Sequence, residues 1–164
     1  PGIRDRLARV MWDDVGIIRD RGGLERARTA LDALADEVAA TGVPGNGRAF
    51  NLTWHEWMNL ENLILASRAI AAAALGRENS RGAHFREDHP EAGDAETSAY
   101  TLVGLEDGRL TLDEAPVRFT RVRPGETLIP GGRGGAPRIS SEGGHPPVAP
   151  RRRARAGAGF SRLP

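Results

Sequence analysis

Apolar residues recur at helical spacing through the first 76 positions of the chain and at strand spacing only afterwards. Ile3, Leu7, Val10, Met11 and Val15 fall on one face of a helix over residues 3–15, and Trp12 extends that face. A short break over 16–22 ends in Gly22-Gly23. The helical pattern resumes over 24–40 with Leu24, Ala27, Leu31, Leu34 and Val38; Asp20 or Gly22 can cap this second helix, and Thr41-Gly42 stops it. Two helices joined by a short turn make a helical hairpin. Val43-Pro44-Gly45-Asn46-Gly47-Arg48 carries loop chemistry. A third helix is predicted from Thr53 to Gly76, with Asn51 or Thr53 as its cap, and Thr53-x-x-Glu56 fits a capping box. Trp54, Trp57, Met58, Leu60, Leu63, Ile64 and Ile70 make it unusually apolar, while Ala66 to Leu75 is alanine-rich and narrow. Small side chains let another helix approach closely, so this helix is expected to be central, with the hairpin laid against it.

The character changes at Ser80. Glu91 to Thr97 is polar and reads as irregular. Tyr100 to Leu105 reads as a strand, Glu106-Asp107-Gly108 as a turn, and Arg109 to Leu112 as the returning strand. Val117 to Val122 alternates apolar and polar residues, as a half-buried strand does. Residues 130–164 are Gly, Pro, Arg, Ala and Ser with little to bury, which predicts disorder. The expected fold is therefore mainly α. A three-helix bundle-like domain is followed by a small antiparallel β-hairpin/strand region, together 1–129, and by a disordered Gly/Pro/Arg-rich tail, 130–164.

Composition refines this picture at three points. The chain has 164 residues, enough for one domain with a modest core built mostly from Leu, Ala, Val and Ile. It has no cysteine, which removes disulfides, thiolate metal sites and a cysteine nucleophile together. All 23 basic side chains are arginine, and they are unevenly placed. Residues 1–130 carry 16 Arg against 21 Asp and Glu, a balance of −5; residues 131–164 carry 7 Arg against one Glu, a balance of +6. The folded part is acidic and the tail basic. No apolar run has the length of a membrane span and residues 1–20 are charged throughout, so direct membrane insertion is not expected. The first residue is Pro1 rather than Met, which suggests a processed product or a fragment.

The densest chemistry lies in Ser80-Arg81-Gly82-Ala83-His84-Phe85-Arg86-Glu87-Asp88-His89-Pro90, where the alanine-rich helix has to stop. Arg81 and Arg86 can lock this loop by pairing with Glu87, Asp88 or helix-end carbonyls, with His84 satisfied by backbone. Alternatively they dock on a partner, since arginine forks suit carboxylate and backbone targets. His84, His89 and Asp88 do not follow an established metal spacing, and no metal site is expected. His55 and Glu56 are adjacent on a helix and do not face each other, so they are not read as an acid–base pair. Gly131 to Gly135 is low complexity rather than a phosphate loop. The run Arg151-Arg152-Arg153-x-Arg155 could touch phosphate without reading sequence, but no nucleic-acid-binding fold accompanies it, and it is read as a solvated run.

These stretches also resemble a known family. Met11-Trp12-Asp13-Asp14-Val15-Gly16-Ile17-Ile18-Arg19 is similar to an M-W-x-x-V-G-I-x-R helix. Asn59-Leu60-Glu61-Asn62-Leu63 with Ser67-Arg68-Ala69, and the S-R-G-A-H-x-R-x-D-x-P loop beginning at Ser80, follow in the same order. Together they resemble the C-terminal helical domain of the succinate dehydrogenase/fumarate reductase flavoprotein family, which includes L-aspartate oxidase. The resemblance covers about residues 1–129. It implies a parent enzyme in which FAD exchanges a hydride with a dicarboxylate, succinate or fumarate or L-aspartate. Its nucleotide-binding unit and catalytic arginines and histidines lie in earlier domains.

No catalytic, cofactor-binding or metal residue is therefore expected in this chain, and FAD belongs to the parent enzyme rather than to this chain alone. The resemblance implies docking on the flavin-binding domain through Trp12, Arg81, His84, Arg86 and Asp88. An iron–sulfur subunit is implied as a further partner, and nucleic acid is not. The implied location is cytoplasmic, with membrane association through partner subunits. The alternative is a stand-alone, non-catalytic helical interaction module.

Overall fold

The computed structural model describes residues 2–43, 47 and 50–129. In chain order its elements are α1 (Ile3–Asp13), β1 (Ile18–Arg19), α2 (Arg21–Thr41), α3 (Leu52–Gly76), β2 (Phe85–Arg86), β3 (Ala99–Glu106) and β4 (Arg109–Pro116). Three helices followed by a small antiparallel sheet is the mainly α arrangement predicted above. The tail at 130–164 and most of the loop at 43–48 lie outside the described residues.

The core forms between α2 and α3. Leu24, Ala27, Leu31, Leu34 and Val38 recur every three or four residues, so α2 turns one apolar stripe inward, and all five are buried. Against them α3 brings Ile64, Ala71 and Ala74. Two polar ties fix the pair of helices: the Trp57 indole N–H donates to the Val38 carbonyl at 3.3 Å, and Arg68 meets Asp32 at 2.8 Å. Burial raises the Asp32 carboxyl above its usual range despite the attraction of Arg68. Removal from water thus outweighs the ion pair for this carboxylate.

The ends of α2 follow from its sequence. Asp20 is extended, and its side chain accepts from the Gly23 N–H at 2.6 Å; Gly42 closes the other end at φ +61°, where a side chain would be strained. Gly22 and Gly23 lie within the helix rather than in the preceding break. Asp20→Ala is expected to lower stability by about 1 kcal/mol, seen as a lower urea midpoint, and Asp20→Asn to recover most of the loss.

Four expectations are corrected. The first helix ends at Asp13, and Val15 is buried beyond its end. Trp12 does not extend the buried face: it stands five residues after Leu7, roughly 140° around the helix, and is 82% exposed. Of the two cap candidates for α3, Asn51 serves, accepting from the Trp54 N–H at 3.1 Å, but Thr53 falls inside the first turn, so the expected Thr53–Glu56 box does not form. Val117 to Val122 is not a strand. The Val117 N–H donates to the Ser98 carbonyl at 2.9 Å, adding one bond to the end of the hairpin. Beyond it, none of the described strands pairs with residues 118–122, and alternation alone does not make a strand.

The β3–β4 hairpin turns through Asp107 and Gly108, both at positive φ (50° and 72°), which matches the right-handed twist of the strands. It lies against the C-terminal half of α3, with Leu110 buried. A second pairing was not foreseen. β1 and β2 run parallel, Ile18 opposite Phe85 and Arg19 opposite Arg86, joining the α1–α2 break to the loop after α3.

Candidate functional site

The loop after α3 is built around one buried arginine. Helix α3 ends at Gly76, and its last carbonyls have no partner within the helix. Arg86 supplies one. Its Nη1 donates to the carbonyls of Ala74 (3.2 Å), Leu75 (3.0 Å) and Arg77 (3.1 Å). Its Nε and Nη2 form a fork on the two carboxylate oxygens of Asp88, at 2.8 and 2.5 Å. Asp88 in turn accepts from the backbone N–H of Arg21, the first residue of α2, at 3.1 Å.

One ion pair therefore joins two helix ends of opposite polarity. The cation sits at the negative C-terminus of α3, and the carboxylate at the positive N-terminus of α2. The hydrogen bond from Arg86 is the main cause holding the Asp88 carboxyl well below the usual carboxylate range.

The rest of the loop is pinned in the same manner. The backbones of Arg81 and His84 bond each other both ways, at 2.8 and 3.2 Å, with Gly82 between them at φ +63°. The Ser80 hydroxyl accepts from the Arg86 N–H and donates to the His89 carbonyl, both at 2.8 Å. The Glu87 N–H donates to the Arg19 carbonyl at 2.8 Å, completing the β1–β2 pairing. Arg81 ties down the following irregular segment. It donates to the Ala92 carbonyl (3.1 Å from Nε, 2.6 Å from Nη2), to the Asp94 carbonyl at 3.2 Å and to the Ser98 hydroxyl.

His84 sits between two cations. Arg19 Nη1 donates to His84 Nδ1 at 2.8 Å, which leaves the ring proton of a neutral imidazole on Nε2. Nε2 is buried and makes no hydrogen bond of ordinary geometry, although the nearby Arg77 carbonyl acts to favour a proton there. Burial, then the charges of Arg77 and Arg19, lower the His84 pKa from its ordinary value. The ring is the neutral form near pH 7.

The five residues expected at an interface are thus placed differently. Arg86 and Asp88 meet as a pair, and Arg86 has no exposed surface (0%). Arg81 and His84 line a cleft of about 710 Å³ between α3 and β3, opposite Tyr100 and Phe119. Trp12 is not part of that cleft and projects from the last turn of α1. Sequence reasoning passed over Arg19 and Arg77, which also line it. The available signal was their position at the two chain breaks that the β1–β2 pairing brings together.

A dinucleotide is commonly held by free backbone N–H groups at a helix N-terminus. Here the N-terminus of α2 holds the carboxylates of Asp20 and Asp88 and that of α3 the Asn51 side chain, while that of α1 has no side-chain cap. The described residues include no group of three His, Cys, Asp or Glu suited to a metal ion.

A three-helix domain with an appended hairpin, locked by an arginine that reaches from a loop to a helix end, defines the class. The family model described as fumarate reductase flavoprotein C-term matches residues 4–129. The chain belongs to the fumarate reductase/succinate dehydrogenase flavoprotein family, which includes L-aspartate oxidase, and corresponds to its C-terminal domain.

It is 32% identical over 122 residues to the 8-methylmenaquinol:fumarate reductase flavoprotein subunit of Wolinella succinogenes, covering 74% of this chain and 20% of that protein. It is 35% identical over 127 residues to the fumarate reductase flavoprotein subunit of Mycobacterium tuberculosis, covering 77% and 22%. A solved structure of E. coli quinol fumarate reductase FrdA superposes with a TM-score of 0.70 at 25% identity, covering 76% of this chain and 22% of that one. The chain spans about a fifth of the length of the curated relatives it matches.

Proposed function

We propose that this chain is the C-terminal domain, residues 1–129, of an FAD-dependent oxidoreductase acting on a dicarboxylate of the succinate/fumarate or L-aspartate type. In this reading it braces the flavin-binding domain and holds no catalytic group itself. The observation that carries the reading is uncovered apolar surface. Trp12, Ile17 and Ile18 are exposed around the α1–β1 turn, and Trp54, Leu63 and Ile70 are half-exposed along α3. A chain of this size rarely leaves such surface to water unless a partner covers it, and the matched relatives are several times longer than the stretch they share with it.

Trp12 and the cleft residues Arg81 and His84 face the partner, while Arg86 and Asp88 hold that face in shape from inside. Among the described residues no helix is long and apolar enough to cross a membrane. Membrane attachment and an iron–sulfur subunit belong to the assembled parent, on the cytoplasmic side.

The test mixes the purified chain with the separately produced flavin-binding portion of its parent. Association, with recovered succinate/fumarate or aspartate turnover and flavin absorbance confined to the larger piece, is the expected result. Trp12→Ala should weaken association while leaving the stability of the isolated chain within about 0.5 kcal/mol. Flavin bound by this chain alone, or no association with a folded flavin portion, overturns the reading; the latter leaves a stand-alone interaction module.

A further inference from the structure

The cleft between α3 and β3 concentrates positive charge in a domain that is acidic overall. Arg19, Arg77 and Arg81 all line it, and among the described residues no Asp or Glu does. None of the three forms an ion pair with a described residue, whereas Arg6, Arg21, Arg26, Arg68 and Arg86 all do. Arg81 is occupied with the carbonyls of the 92–94 segment.

The other two are not. Among the described residues Arg77 donates only through Nε, to Asn79 at 3.0 Å, and Arg19 reaches only the Val15 carbonyl and the neutral His84 ring. Arg19 is also partly desolvated, which lowers its pKa. A cation withdrawn from water without a counter-charge is costly unless something else brings one.

We propose that this cleft is the receptor for an acidic side chain of the flavin-binding domain, whose carboxylate is held by Arg19 and Arg77. The inference rests on the domain reading above and names the chemistry of the docked segment. Guanidinium forks suit a carboxylate. The surroundings favour a protein segment over a small free anion. Tyr100 (59% exposed), Ile70 (50%) and Phe119 (38%) border the same cleft and keep a substantial part of their surface in water. A small anion would leave them so; an apolar segment flanking the carboxylate would cover them, in the aromatic-plus-arginine composition of interface hot spots. The Arg-rich tail of this chain, with its +6 balance, has the wrong charge to be the occupant.

The His84 ring is the reporter, because Arg19 and Arg77 both depress its titration. The full 164-residue chain is titrated by NMR in acetate and in chloride at equal ionic strength. Acetate should raise the His84 midpoint saturably. Arg77→Gln and Arg19→Gln should each weaken the effect about tenfold or more. Arg77→Lys, which keeps the charge and loses the fork, should fall between and guards against a variant that fails to fold.

The same titration with acetyl-Leu-Glu-Leu-amide should show binding about tenfold tighter than acetate, and the Gln version should show none. No acetate effect beyond chloride overturns the proposal. Succinate binding more tightly than the Glu peptide overturns the protein source and makes the cleft a free-anion site. A silent His84 with intact association in the mixing experiment moves the docking face elsewhere but spares the domain reading. A responsive His84 without association overturns the domain reading and, with it, the assigned source.

Discussion

Arg86→Ala lowers the unfolding free energy by about 3–5 kcal/mol, visible as a large drop in the urea midpoint at unchanged slope. The substitution removes a side chain with no exposed surface and strips three carbonyls at the end of α3 of their shared donor. It also leaves Asp88 at the start of α2 without its cation. Buried acceptors without partners account for the size of the loss. Arg86→Lys should recover little, because one ammonium cannot meet three carbonyls and both carboxylate oxygens from one position.

The pH dependence gives an independent reading of the same pair. The Asp88 carboxyl titrates below its ordinary value of 3.8 when folded. Its contribution is therefore fully present above that ordinary value and is lost as pH falls through the folded value. The gap between the parent chain and Arg86→Ala should be constant from neutral pH down to about pH 5 and should narrow below the ordinary carboxylate value. A gap that stays constant into strong acid would mean that packing, and not the pair, sets the loss.

Leu31→Ala should cost about 3 kcal/mol, within the range of roughly 2–5 kcal/mol for such truncations. Leu31 is completely buried in the middle of α2, in the cluster that includes Ile64, Ala71 and Ala74. Cavity cost depends on how far neighbours can move into the space. Part of the facing wall on α3 is Ala71 and Ala74, whose short side chains cannot swing inward, so collapse is limited on that side. Chemical denaturation checks the value, and Leu31→Met, which conserves volume, should lose less than about 1.5 kcal/mol. A loss for Leu31→Ala below about 1 kcal/mol would show that α2 and α3 close up more freely than their geometry indicates.

The helices were legible where one residue type decides a position. The stripe from Leu24 to Val38 marked the inward face of α2, Gly42 its C-terminal end and Asp107-Gly108 the hairpin turn, whereas the start of α2 stayed open between Asp20 and Gly22. Sequence reading failed where the deciding contact is remote. Pairing Ile18–Arg19 with Phe85–Arg86 rests on two residues from each side and leaves no periodic trace. Whether Arg86 locks the loop or faces outward depends on where α3 stops relative to α2, which local pattern does not contain.

Val117 to Val122 misled for a related reason, since alternation describes a side-chain pattern and not an available edge. Helix α3, expected to be central, does carry α1 and α2 against it, while Trp54, Leu63 and Ile70 along it are half-exposed. Arg19 and Arg77 escaped notice because each alone resembles an ordinary surface charge, and only folding puts them in one cleft.

The residues that lock the three helices together are synthesised only after all three helices. A chain growing from its N-terminus presents α1, α2 and α3 before Arg86 and Asp88 exist. During that interval the end of α3 lacks its arginine, the start of α2 lacks the Asp88 carboxylate, and Ile18–Arg19 has no strand beside it. Contacts this far apart in sequence form late, so the helices can gather early but cannot be fixed in register. Commitment to the native arrangement comes only when residues 85–88 have left the ribosome, and a translational pause just upstream of them would prolong the most loosely ordered stage of the domain's assembly.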